Sequence, residues 1–214
     1  MNKKVIILGG LVLALASCGN GESTLDKISK ATDQVKDLKE NVQNASSMVS
    51  SAEEMQENMK RLKETTPISK DAMKEWMPEA LGDLKRSKFS IGKHMGIANV
   101  ASIDLEFKSI DAESGKFLRL KVVDCAGEAA AIMAMQLMIT NVDIDSEDEQ
   151  GYERTEVFDN QKILVKHKTS EYGLRTNFNY QINDRLLVEA KGMNMDADEL
   201  WSLVKVLNIQ DLLN

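Results

Sequence analysis

The sequence is poor in the residues that most often carry chemistry. Two histidines, two cysteines and two prolines occur among 214 residues, and aromatic side chains make up only 5%. His94 and His167 fall in different predicted elements, each beside lysine. No HExxH, GxSxG, CxxC or P-loop spacing is present, so the familiar zinc, serine-nucleophile, redox and phosphate-cradling architectures lack their residues. A dyad of Cys125 with a histidine finds little support. Reactive thiols need an electropositive setting, whereas Cys125 has Asp124 and Glu128 as acidic neighbours. Cys125 is read as a buried structural thiol at a strand end. The expectation is a chain with no catalytic residues, no cofactor and no metal: not an enzyme.

Basic charge is also short. Acidic side chains number 34 against 27 basic ones, a formal net charge of -7. That balance argues against nucleic acid as a partner, because phosphate binding needs a basic surface for counterion release. It argues equally against a polybasic membrane-surface site. Long apolar runs are missing too. The one apolar stretch near the start, Val5 to Ala16, is too short for a stable helical span and leads into polar sequence.

What is present is a tripartite N-terminus. In MNKKVIILGGLVLALASC, Lys3 and Lys4 form a positive n-region, Val5 to Ala16 an apolar h-region, and Leu15-Ala16-Ser17-Cys18 a small-residue boundary. The last four residues resemble the lipobox of bacterial lipoprotein signal peptides. The resemblance implies cleavage between Ser17 and Cys18 and acylation of the Cys18 thiol and of the new amino terminus. Several acyl chains at about 0.8 kcal/mol per buried methylene anchor a protein far more firmly than a single myristoyl group. Cleavage would remove Lys3 and Lys4, leaving 25 basic against 34 acidic side chains, a charge of -9. It would also leave Cys125 without an intramolecular disulfide partner. Gly19, where many inner-membrane lipoproteins carry Asp, implies the outer membrane. GNGEST has no acidic cluster of the surface-export kind, so the expected location is the periplasmic side.

After a tether at 18–24, residues 25–64 contain neither Gly nor Pro. With Ile28 at heptad position a, Val35, Val42 and Val49 fall at later a positions, and Ala31, Leu38, Ala45, Ala52 and Met59 at d. Gln56 breaks the series. β-Branched residues at a suit a two-stranded coil, whereas small residues at d suit close approach without specifying a partner. Residues 25–66 are therefore read as a long amphipathic helix. It either self-associates or binds a protein partner through 25–64, or folds back on the following domain. The stretch is faintly similar to the small murein lipoprotein, which joins a lipidated cysteine to a heptad helix. That protein ends in a lysine used for wall attachment; this chain continues and ends in Asn214, so attachment is not carried over.

Residues 67–214 read as an α+β domain. DAMKEWMPEALGDL is predicted as a short helix with Trp76, Met77, Ala80, Leu81 and Leu84 on one face. Alternation then sets in around Val100, Ile103, Leu105 and Phe107, and again in KFLRLKVVDC, with DAESGK as the turn. GEAAAIMAMQLMIT reads as a buried helix. GYERTEVFD, QKILVKHK, GLRTNFNYQ and RLLVEAKG read as strands separated by FDNQK, TSEYG and INDR. A final helix runs through DADELWSLVKVLNIQDLL, capped by Asp196 or Asp198 and burying Leu200, Trp201, Val204, Leu207 and Leu212. The expected architecture is a mainly antiparallel sheet of about six strands packed against helices. This order, with its WMP…GYERT…EL pattern, resembles PsbP/Mog1-like envelope domains and other envelope lipoproteins. It implies a fold and no catalytic motif.

Two further features invite a ligand. DIDSEDEQ (143–150) gathers five carboxylates, but lacks the glycine and terminal glutamate of an EF-hand loop and reads as a solvated acidic loop. Met133, Met135 and Met138 could offer thioethers to Cu(I), yet Met133 and Met135 point about 200° apart on a helix and read as packing. The sequence thus predicts a lipid-anchored, non-enzymatic interaction or scaffold module. The alternative is a carrier or sensor of an apolar ligand, lipid or peptide, beneath the Met/Ala-rich helix.

Overall fold

A computed structural model describes residues 45–92, 100–128, 143–171 and 173–214. The chain divides into two compact units, Met1–Ala52 and Glu53–Asn214. Most of the first lies outside the described residues, so the proposed coil over 25–44 and the lipobox are not seen. Helix α1 (Ala45–Glu64) lies within the stretch 25–66 read as a long helix, whose first part is outside the described residues. It ends where Thr65 N and Thr65 Oγ1 bond back to the carbonyls of Leu62 and Arg61, just before Pro67, whose ring bars helical geometry at the preceding residue.

Helix α2 (Lys70–Trp76) starts at Ser69, whose hydroxyl accepts from Ala72 N at 3.1 Å. It stops sooner than the apolar pattern suggested. Met77 precedes Pro78 and is extended at φ -65°, ψ 124°, as a residue before proline must be. Ala80, Leu81 and Leu84 therefore belong to strands rather than to a helical face. Strand β1 (Ala80–Leu81) turns through Gly82, at φ +57°, into β2 (Leu84–Ile91). Strands β3 (Ser102–Ser109) and β4 (Phe117–Asp124) follow, joined by a 3-10 turn at Ala112–Ser114.

The second run of strands comprises β5 (Asp145–Asp148), β6 (Gly151–Phe158), β7 (Gln161–Ser170), β8 (Gly173–Ile182) and β9 (Leu186–Met193). Asp159-Asn160 and Asn183-Asp184 make the β6–β7 and β8–β9 turns, all four with positive φ, which Asn and Asp tolerate best. Helix α3 (Ala197–Lys205) is capped by Asp196, which accepts from Glu199 N at 2.8 Å. It ends short of the predicted limit, because Asn208 at φ 44° turns the chain into a separate 3-10 turn, Ile209–Leu213.

All nine strands form one antiparallel sheet in the order β1-β2-β3-β4-β9-β8-β7-β6-β5. The six expected strands correspond to β3, β4 and β6–β9. Of the three others, β1 and β5 are the edge strands and β2 lies just inside β1. One face carries the main core: Ile103, Leu105 and Phe107 of β3, Leu118, Leu120 and Val122 of β4, Val188 and Ala190 of β9, and Phe178 and Tyr180 of β8 are all buried. Met73 of α2, Leu200 and Val204 of α3, and Ile209 and Leu212 of the last turn are buried in the same cluster.

The opposite face is mainly polar. Glu106, Arg119, Lys191, Asn177 and Lys166 are aligned across it by register. At one end this face too is buried. Ser102, Val123 and Leu164 are buried there, as are Met59 and Leu62 of α1. Hydrogen bonds fix the end of α1 nearby: Gly127 N donates to Leu62 O at 2.9 Å, and the side chains of Asn58 and Arg61 donate to Asp184 O in the β8–β9 turn. The Met59 position of the predicted heptad seam is therefore occupied within the chain itself.

Candidate functional site

Two polar assemblies stand out against this frame. The first is a clasp at the end of β4. Asp124 is completely buried, and its carboxylate takes both Nε and Nη2 of Arg185, at 2.8 and 2.9 Å. It also accepts from Ile68 N at 2.8 Å and Ala126 N at 3.1 Å. Arg185 completes the arrangement by donating to Thr66 O at 2.9 Å. A bidentate guanidinium plus two amides satisfies most of the carboxylate's lone pairs, the condition under which a buried pair holds. The bond to Asp124 raises the Arg185 pKa above its already high value. The clasp thus ties the segment after α1 to the β8–β9 turn and the middle of the sheet. Sequence reasoning noted Asp124 only as a neighbour of Cys125. Its signal is an acid between Val123 and Cys125 at the end of an apolar strand.

Cys125 follows directly and is buried and free. Burial, and then the neighbouring Asp124 charge, push its thiol up to about 12, the opposite of what a nucleophile requires. His167 lies elsewhere, in β7, so the structure does not bring it together with Cys125. Cys18, Ser17, His94, Met133, Met135 and Met138 lie outside the described residues. So does the Met/Ala-rich segment on which the apolar-ligand reading rests.

The second assembly surrounds His167 on the core-side face of β6–β8. Strand β6 alternates there between Tyr152, Arg154, Glu156 and Phe158, paired with His167, Val165, Ile163 and Gln161. Only Phe158 is apolar, so the hydrophobic cluster gives way to a polar ledge. Tyr152 and His167 stack with centroids 5.1 Å apart and planes 14° apart, and the Arg154 guanidinium sits 3.8 Å over the Tyr152 ring. Arg154 Nε is buried without a hydrogen bond, 3.5 Å from the Glu156 carboxylate. Burial raises the Tyr152 pKa, helped by Glu156, Asp198 and Asp196, with Arg154 opposing.

Behind the stack, the Thr176 hydroxyl donates to Met195 O at 2.7 Å and lies 3.0 Å from His167 Nδ1. A hydroxyl has one proton to give, and Met195 O receives it. Nδ1 must therefore carry the hydrogen that Thr176 accepts, so the bond selects the Nδ1–H over the Nε2–H tautomer. The ledge presents a guanidinium, a phenol ring and an imidazole of fixed tautomer, a set suited to holding a planar or charged group by stacking and hydrogen bonding.

The acidic segment 143–150 is no loop. Its middle is strand β5, whose four side chains are all exposed. Asp148 accepts from Gln150 N and Gly151 N and pairs with Lys168 at 3.4 Å, while Asp143 pairs with Lys162 at 2.7 Å. These carboxylates diverge along a strand rather than converge. Among the described residues no group of three or more metal-ligating side chains comes together, and no helix is long and apolar enough to cross a membrane. Comparisons of the chain with protein-family models, curated proteins and solved structures find no match.

Proposed function

We propose that the chain is a lipid-anchored protein of the bacterial envelope whose α+β unit acts as a non-enzymatic scaffold or interaction module. The anchoring half of this reading rests on Leu15-Ala16-Ser17-Cys18, with Cys18 as the acylated residue and the outer membrane, periplasmic side, as the location. The heptad pattern over 25–64 supports a spacer or partner-binding helix between anchor and module.

The observation that carries the scaffold half is the clasp. Asp124 and Arg185, joined to each other by two hydrogen bonds, hold the chain after α1 against the sheet through two more, from Ile68 N to Asp124 and from Arg185 to Thr66 O, all at 2.9 Å or shorter. A fixed join of this kind transmits position from the helix to the sheet, which is what an anchored scaffold needs. The sheet in turn offers a broad polar face for contact.

Two measurements test the reading together. Palmitate labelling and membrane fractionation should show a labelled, membrane-bound chain, and Cys18→Ala should remove the label; label retained in that variant overturns the anchor. Photo-crosslinking from Lys121 and Lys191 on the polar face should give a discrete adduct in the native envelope. Absence of any adduct from this face overturns the interaction role.

A further inference from the structure

The sheet has two open edges of opposite charge, and we propose that they join: strand β5 of one copy adds to strand β2 of the next, building a head-to-tail ladder of sheets. Strand β2 reads Lys85-Arg86-Ser87-Lys88-Phe89-Ser90-Ile91 along most of its length. Its neighbour β1 covers only Leu84 and Lys85, with one further bond from Arg86 N to Glu79 O. From Ser87 to Ile91 no strand among the described residues lies on its outer side. Lys85, Ser87, Lys88 and Ser90 are exposed, and Phe89 is 49% exposed. At the far edge, β5 reads Asp145-Ser146-Glu147-Asp148, is exposed throughout, and has only β6 beside it among the described strands.

Topology makes the two edges compatible. Every adjacent pair in the sheet is antiparallel, and β2 and β5 hold the second and ninth places. They therefore run in opposite directions. A second copy shifted across the sheet without being turned over brings β5 antiparallel to β2, with like faces continuous. Lengths agree as well. The four residues of β5 fit the open stretch from Ser87 to Ile91, and β1 occupies the rest of that edge, so the two would lie end to end along β2.

Charges agree face by face. Lys88 is on the face of Glu106, the polar face, and Asp148 and Ser146 share that face by their register with β6. Arg86 and Phe89 are on the face of Phe107 and Leu105, and Asp145 and Glu147 are on the corresponding face with Arg154 and Tyr152. On the polar face the acid Asp148 can therefore meet Lys88 with Ser146 beside Ser90, and on the other face Glu147 and Asp145 add to the acidic character of that edge.

Charged residues on an edge, and the irregularity between Arg86 and Lys88, ordinarily discourage pairing. Here they select. Joining β2 to β2 or β5 to β5 sets like charges opposite one another, which is unfavourable, while β2 to β5 sets unlike charges opposite. A contact between two different surfaces of identical chains does not close by itself, so the product is a chain of copies rather than a dimer.

The test uses the full chain with Ser90→Cys and Ser146→Cys, both exposed and both on the polar face. Cys125 is buried and does not compete, and any link through Cys18 shows in the wild-type and single-variant lanes. Mild oxidation should give a ladder of dimers, trimers and higher species on a non-reducing gel. Co-expressed single variants should give only the mixed dimer, and neither single variant should exceed the wild-type background alone. Lys88→Glu should cut cross-linking about fivefold, the weight of one exposed ion pair, and adding Asp148→Lys on the facing strand should restore it. Monomer alone, self-dimers of a single variant, or charge reversal without effect would overturn the proposal.

Discussion

Asp124 is the only charged side chain among the described residues that is fully buried, so its energetics are those of a pair rather than of two separate ions. Removing one partner strands the other charge. Arg185→Ala should cost about 3–5 kcal/mol in chemical denaturation, and the double change Asp124→Asn with Arg185→Gln should cost less than the sum of the two single changes. Cys125 beside it gives a pH prediction with a definite sign. Its thiol is raised in the folded chain from an ordinary value of 9.0 to about 12, so the folded state resists ionisation that the unfolded chain accepts. Its contribution to stability is complete below pH 9 and is lost as pH rises toward about 12. Thermal melts should fall across that window, and less so in Cys125→Ala. At His167, Thr176→Val leaves Met195 O without its donor and should cost about 1–3 kcal/mol. Imidazole nitrogen spectra of the wild-type chain should show the Nδ1–H form, and the variant should lose that bias.

Helix α3 is held to the sheet by an aromatic cluster. Trp201 packs 5.7 Å from Phe158 and 6.2 Å from Tyr180, centroid to centroid, and its Nε1 donates to Asp159 at 2.9 Å. Trp201→Phe keeps most of the contact and loses the bond, so unfolding measurements should show a loss of about 0.5–1.5 kcal/mol. Strand pairing offers a sharper test. A Cβ at Gly151 would lie 1.9 Å from His167 O, inside the β6–β7 ladder, and Gly151→Ala should cost at least the roughly 1–3 kcal/mol typical of overpacking.

Which elements were legible follows from the same physics. Strands β3, β4 and β7–β9 carry the core's alternating apolar residues, and β6 borders it through Phe158. Strand β5 contains no apolar residue, because an edge strand with both faces wet needs none, and its Asp-Ser-Glu-Asp reads as a loop. In β1 and β2, Ala80, Leu81 and Leu84 fit a helical period by coincidence, and only Pro78 and Gly82 hinted otherwise. The clasp escaped notice because Asp124 and Arg185 stand 61 residues apart, and the polar ledge because its members come from three strands whose pairing local alternation does not fix.

Across the whole molecule the strand order has a simple plan. β1 to β4 pair in sequence, β5 to β9 pair in sequence, and the two runs meet only where β4 lies against β9. That seam joins residues 117–124 to residues 186–193, and the clasp sits at its end, where Cys125 N donates to Arg185 O and extends the ladder by one bond. Every other strand pairing joins neighbours in sequence. The consequence concerns the order of events when the chain folds. Closing a long loop before its contacts form is the slow part of building a sheet. The two meanders should therefore form early and the β4–β9 seam late. Truncations such as Val122→Ala and Val188→Ala should chiefly speed unfolding, whereas Ile163→Val within a meander should slow refolding. The buried ion pair then acquires a kinetic meaning: it is a fastener drawn shut when the two halves have already taken shape.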